Sequence, residues 1–190
     1  MEQDEARTRL LDAAEELFYA RGVQAVGMDE VRSRSGVSLK RLYQCFPSKD
    51  ALVEEYLRRR DRRWRAELAD HVAHRAAPGR ESVLAVFDWL GHWFAEPAFR
   101  GCAFANSFGE FGDSAPAVAA VAREHLEALR RYLRTLADAL PVESPSVLAE
   151  QLLVLVQGAT TTAAITGRPD SAAHARAMAG AVINAAGHEA

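Results

Sequence analysis

Apolar residues recur with the period of an α-helix almost from one end of this sequence to the other, and no stretch sustains the period-two alternation of a strand. That restricts the chain to helices packed on helices. Leu10, Ala13, Ala14, Leu17 and Phe18 share one helical stripe, which Gly22 ends. Short helices are predicted from about 28 to 35 and from about 38 to 45, with Gly36 between them. Pro47-Ser48 opens a long helix: Ser48 can cap it, Asp50 suits its first turn, and Val53, Tyr56, Leu57, Trp64 and Leu68 form its apolar stripe. The linker Ala76-Ala77-Pro78-Gly79 ends it. Five further helices are predicted at about 80–96, 102–112, 115–140, 145–167 and 170–187, divided by Pro97, Gly112-Asp113-Ser114, Pro141 with Pro145, and Gly167-Arg168-Pro169. The expectation is an all-α protein of about nine helices without internal repeats.

Composition excludes several classes. With 49% hydrophobic and 26% charged residues, the 190-residue chain is globular rather than disordered. The longest run of low polarity, residues 152–165, contains Gln157 and three threonines and is too short and too polar to span a bilayer. No secretion signal is legible in residues 1–9, and Cys45 and Cys102 have neither a disulfide framework nor metal-ligand spacing. A cytoplasmic protein that does not engage a membrane is expected. Its charge is uneven: residues 1–65 carry 14 Lys and Arg against 12 Asp and Glu, residues 66–190 carry 9 against 14, and residues 32–65 alone carry 11 against 4. A basic block before an acidic remainder suits a polyanion-binding module, though a solvated arginine-rich helix face would give the same count.

Two short helices joined at Gly36 behind a longer amphipathic one form a helix-turn-helix pattern at about 27–46. A tight turn between nearly perpendicular helices needs a residue that tolerates positive φ, which Gly36 supplies. Ser38 can cap the second helix, whose exposed face then offers Lys40, Arg41, Tyr43 and Gln44 to base edges and phosphates. Gly27 and Met28 open the first helix of the pair, and Lys49, after Pro47-Ser48, is placed for a phosphate.

These residues resemble the tetracycline-repressor-like (TetR) family of bacterial regulators. Residues 9–18 look like that family's first helix, and Gly22 with Met28-Asp29-Glu30-Val31 looks like the approach to its second. Gly36-Val37-Ser38, Leu42-Tyr43 and Phe46-Pro47-Ser48-Lys49-Asp50-Ala51-Leu52 form its most diagnostic passage. The resemblance covers residues 4–64, about a dozen positions agreeing in order and spacing. Arg32 stands where the family usually has a small residue, and Lys40-Arg41 where a glycine is common. Both departures add charge near DNA and bear on which operator is chosen.

The resemblance implies that residues 65–190 form a regulatory domain that binds a small-molecule effector and dimerises. The residues themselves agree. Val83, Phe87, Leu90 and Phe94, with Trp89 and Trp93, make helix 80–96 apolar all round, which marks a buried helix. Phe104 and Phe108 with Asn106 and Glu110 follow, then His125 on the stripe Val118, Ala122, Leu129 and Leu136; Gln157 adds a polar group. Phe87, Trp89, Trp93, Phe104, Asn106, Phe108, Glu110, His125 and Gln157 are the candidate ligand residues, although any one of them taken singly fits a plain core or solvated position better. Residues 145–187 carry two apolar faces, as a four-helix bundle across a homodimer axis would require, with Leu155 and Val182 as candidate contacts.

Catalytic motifs are absent: no G-x-S-x-G, no phosphate-cradling glycine loop, no paired Glu-x-x-His. His71 and His74 lack further metal ligands, and Cys102 reads better as a small hydrophobe than as a redox sensor. No catalytic residue, metal or cofactor is expected. The expected function is a dimeric regulator of double-stranded DNA, a repressor released from a near-palindromic operator by a small, largely apolar ligand. A ligand-independent repressor of the same fold and a small-molecule-binding helical protein remain as alternatives.

Overall fold

The computed structural model describes residues 2–187, which form nine α-helices and, among the described residues, no strand. In order these are α1 (Gln3–Arg21), α2 (Met28–Ser35), α3 (Leu39–Cys45), α4 (Lys49–Arg75), α5 (Arg80–Phe94), α6 (Ala103–Phe111), α7 (Pro116–Ala137), α8 (Pro145–Thr166) and α9 (Ser171–Ala186). A single 3₁₀ turn, Gly112–Ser114, precedes α7. The predicted helix at 115–140 stops at Ala137, where the chain turns toward Pro141.

The chain divides into two compact units, Met1–Arg62 with Ala103–His125, and Arg63–Cys102 with Leu126–Ala190. The expected boundary at 64/65 lies close to the break at Arg62, but α6 and the start of α7 group with the N-terminal helices. The cause is a set of tertiary bonds that sequence patterning does not register: Glu110 to the α1–α2 loop, Glu124 to Arg58, and His125 to Asp61. Residues 188–190 of the expected C-terminal domain lie outside the described residues.

In the first unit, Leu10, Phe18, Val31, Leu42, Phe46, Leu52 and Tyr56 are buried, and the rings of Phe18 and Tyr56 meet edge to face at 5.7 Å. Burying several large side chains, each worth roughly 1.5–3 kcal/mol, is what holds helices this short in place. In the second unit the core is made by Trp64, Leu68, Val83, Phe87, Leu90, Leu129, Leu133, Leu148, Leu152 and Ile183. Past its exposed first residues Arg80 and Glu81, helix α5 is buried on nearly all sides, as its composition requires, leaving Asp88 and His92 exposed. Small residues bring α5 close to α9: a Cβ on Gly91 would stand 3.6 Å from that of Ala172.

Helix α8 begins with a proline at its first turn and ends at Gly167 in the left-handed conformation (φ 68°, ψ 15°). At 22 residues, with a window of mean hydropathy 1.2, it is long and apolar enough to cross a membrane by length and composition. The run at 152–165 understated it because the helix continues back to Pro145. Its stripe Leu148, Leu152, Val156, Ala159 and Ala163 belongs to the core of the second unit.

Candidate nucleic-acid interface

The site begins with the turn between α2 and α3. Gly36 adopts φ 67°, ψ 19° and donates its N–H to the Arg32 carbonyl at 3.1 Å, closing α2. A Cβ there would meet only the flexible end of Arg9, at 2.9 Å from Nη2, so it is the positive φ that reserves the position for glycine. Ser38, in extended conformation, accepts the Arg41 N–H on its Oγ at 3.4 Å and caps α3. Val37, Leu42 and Cys45 turn inward. The opposite face of α3 presents Lys40, Tyr43 and Gln44 to solvent, with Arg41 half-buried beside them. Tyr43 is 48% exposed, as is Leu39, which is much for large hydrophobic side chains on so short a helix. Gly27 is exposed at the N-cap of α2 in extended conformation, and Met28 is half-buried in its first turn.

Ser48 Oγ accepts the Ala51 N–H at 3.2 Å and caps α4, whose first residue is Lys49. No side-chain ion pair is made by Lys40, Arg41 or Lys49 among the described residues, so these cations are available to a polyanion. Arg32, half-buried on α2, makes a long contact to Asp29 at 3.4 Å and a bond to Ser33 Oγ at 3.3 Å. Three further arginines brace the module: Arg21 bonds Glu30, Arg34 grips Glu16 through two bonds of 2.8 and 2.9 Å, and Arg7 lies 4.6 Å over the Phe46 ring while binding Glu55.

The basic block at 32–65 divides in two. Arg58 binds Glu54 and Glu124, Arg59 binds Asp12 and Glu15, and Arg60, itself buried, binds Glu15 at 3.0 Å and covers the Tyr19 ring at 3.7 Å. These arginines fasten helices of the first unit together, so the charge count in the sequence overstates what a polyanion meets.

The nine candidate ligand residues fall into both units. Phe104, Asn106, Phe108, Glu110 and His125 are in the first. There the ring of Phe104 stacks on that of His125, while Asn106 and Phe108 are exposed. Glu110 has both carboxylate oxygens committed to the backbone N–H groups of Val23 and Gln24, at 3.0 and 2.6 Å. Phe87, Trp89, Trp93 and Gln157 are in the second unit. Trp89 and Trp93 close on Trp64, with centroids 4.9 and 5.7 Å from it, and Gln157 is half-buried.

A groove of about 620 Å³ in the second unit is lined by Phe87 alone of these four, along with residues that patterning did not single out together. Its walls include Phe87, His71, Arg75, Asp88, His92 and Arg176. The His71 and His92 rings are 5.5 Å apart, whereas His74 bonds the Asp70 carbonyl of its own helix. Burial pushes the His71 pKa down, and the neighbouring charges of Arg75 and His92 push it the same way. Helical spacing linked His71 to His74; the actual neighbour is on α5 and carries no sequence signal.

Residues 10–56 match the family model described as bacterial regulatory proteins, tetR family. A TetR-family transcriptional regulator from Streptomyces coelicolor superposes with a TM-score of 0.88 at 27% identity, covering 97% of each chain. A tetR transcriptional regulator from Streptomyces avermitilis superposes at 0.83 with 30% identity, over 95% of this chain and 97% of that one. An uncharacterized HTH-type transcriptional regulator of Mycobacterium tuberculosis is 35% identical over 81 residues, 43% of this chain; over that match the chain spans 40% of the relative's length. The helix order, the capped turn at Gly36 and Ser38, and the end-to-end likeness to the Streptomyces avermitilis regulator agree: this chain belongs to the tetR family of bacterial regulatory proteins.

Proposed function

We propose that the protein is a transcription regulator, not an enzyme, that binds double-stranded DNA as a homodimer. One observation carries the reading: α3 is capped at Ser38 and anchored by Leu42, and so holds Lys40, Arg41, Tyr43 and Gln44 together on a face that makes no ion pair among the described residues. Helix α3 enters the major groove, Arg41 and Lys40 read base edges, and Tyr43, Lys49 and the backbone around Gly27 and Met28 hold phosphates. Two such helices, related by a two-fold axis, match a near-palindromic operator.

The homodimer reading draws on α8 and α9. Val154 is 69% exposed and Ile165 80% exposed, on the α8 face that also bears Val147, while Met178 stands out from α9. Val147 of α8 and Ala185 of α9 line one cleft, so the two exposed faces adjoin. Pairing them with a second copy removes apolar surface that water would otherwise cover. In this reading the protein represses by occupying its operator and leaves when a small ligand, seated among the aromatic residues or in the Phe87 groove, favours a dimer geometry that no longer spans the half-sites.

The test is selection of duplexes from a random DNA library, followed by binding isotherms with and without small apolar and aromatic compounds. Enrichment of a near-palindrome, and compounds that both weaken binding and quench tryptophan fluorescence, are expected. Failure to enrich any sequence defeats the reading.

A further inference from the structure

Most bonds within the helix-turn-helix are local, but Glu110, near the end of α6, reaches back 86 and 87 residues. Its Oε1 accepts the Val23 N–H at 3.0 Å and its Oε2 accepts the Gln24 N–H at 2.6 Å. Its main-chain carbonyl accepts a bond from the Gln24 side-chain amide. Three bonds to one residue fix the place and the orientation of the loop between α1 and α2. The acceptor is charged, so the two amide bonds are stronger than neutral ones, and Val23 is buried, so water is a poor substitute for it.

The loop is shaped for this acceptor. Gly22 has φ +87°, and a Cβ on it would stand 3.0 Å from Glu110 Oε1. A side chain there would be strained by the backbone and would press on the carboxylate. Downstream, Val23 and Val26 are buried, and the Gly27 carbonyl accepts the N–H groups of Glu30 and Val31, both at 3.2 Å, starting α2. The position of the loop therefore sets the position of α2, and the turn at Gly36 passes it on to α3.

We propose that Glu110 is a positioning residue for DNA recognition: α6 supplies the carboxylate that fixes where α2 and α3 stand. The role rests on the DNA-binding reading above. It also takes Glu110 out of the set of residues available to an effector, because both of its oxygens are committed. Glutamine cannot replace it fully, since its amide nitrogen would face one of the two N–H groups donor to donor. Aspartate falls short by one carbon–carbon bond, about 1.5 Å.

The experiment compares wild type with E110Q and Q24A by amide hydrogen exchange and by binding to a duplex that the wild type selects from random DNA. In E110Q the Val23 and Gln24 amides should exchange about tenfold faster, and affinity for the selected duplex should fall about tenfold. The salt dependence of binding should stay unchanged, because no phosphate contact is removed. Q24A, at an exposed position, should shift both readouts in the same direction by less, and it carries the test if E110Q proves too unstable to study. Unchanged exchange at Val23 and Gln24 in E110Q overturns the clamp. Faster exchange with duplex affinity within about twofold of wild type overturns its role in recognition. A wild type that enriches no duplex overturns the DNA-binding reading and with it that role; the exchange data still judge the clamp, so the two failures are told apart.

Discussion

The imidazole of His125 lies flat against the ring of Phe104, the centroids 3.7 Å apart and the planes within 11°. On its edge, Nδ1 sits 2.7 Å from Asp61 Oδ1, an arrangement in which the ring nitrogen donates to the carboxylate. Both rings are buried, so each replaces water with close contact on one face and the imidazole is oriented by an acid on α4. His125→Ala should lower the unfolding free energy by about 2–4 kcal/mol, through the cavity left behind and the lost bond to Asp61. Denaturant unfolding followed by circular dichroism measures it, and a loss under half of that range would mean the stack contributes little.

Lys49 and Arg41 should fail differently. Lys49 begins α4 beside the Ser48 cap, where its ammonium acts as a point charge toward a phosphate. Lys49→Ala should weaken binding to selected and scrambled duplexes alike and lower the salt slope by about one unit per site. Arg41 lies in the first turn of α3, where a guanidinium can take guanine O6 and N7 together. Arg41→Ala should relax one position in each half-site at a cost of about 1–3 kcal/mol. Isotherms on both duplexes at several salt concentrations separate the two, and reversed outcomes would reverse the assignment.

Association should respond to the exposed side chains of α8 and α9 and not to those first picked out by periodicity. Leu155 and Val182 are partly buried against the core of the second unit, so a charge at either acts first on folding. Val154→Glu changes a residue that is mostly exposed. It should raise the dimer dissociation constant at least about tenfold, a cost on the order of 1.4 kcal/mol, with little change in the far-ultraviolet spectrum. Sedimentation equilibrium reads the constant directly. A wild type that is monomeric at micromolar concentration would sink the homodimer.

Mild acid should destabilise the protein through His71. Its folded pKa lies below the ordinary value because burial, then Arg75 and His92, oppose the charged form. Below the ordinary histidine pKa of about 6.5 the unfolded chain takes up a proton that the folded one resists, so stability falls as pH drops through that value. The melting temperature should therefore be higher at neutral pH than in mild acid, and His71→Gln should flatten part of the difference. An unaltered profile in that variant would place the pH dependence elsewhere.

Local chemistry made the recognition module legible, and distance hid the rest. Gly36, Ser38 and Leu42 act within a few residues of one another, so a glycine stop, a serine cap and an apolar stripe were enough to place α2 and α3. The buried character of α5 followed from Val83, Phe87 and Leu90 in the same way. Glu110 pairs with amides 86 and 87 residues away, and helical spacing gave it no partner but Asn106, which is exposed. His125 was visible on the stripe of α7, whereas Asp61 sits 64 residues earlier, in the middle of a helix read for its start and its apolar stripe. Arg58, Arg59 and Arg60 looked like part of a surface charge run because their acids, Asp12, Glu15 and Glu124, lie on other helices.

Those three internally paired arginines also affect how such a regulator finds its target. A chain that commits guanidinium groups to its own carboxylates releases fewer counterions from DNA, and its hold on arbitrary sequence is correspondingly shallow. It would then spend little time on each wrong stretch, moving by frequent dissociation and landing instead of long one-dimensional slides. Less of the protein is then held by non-specific DNA, and more is left free for a specific site.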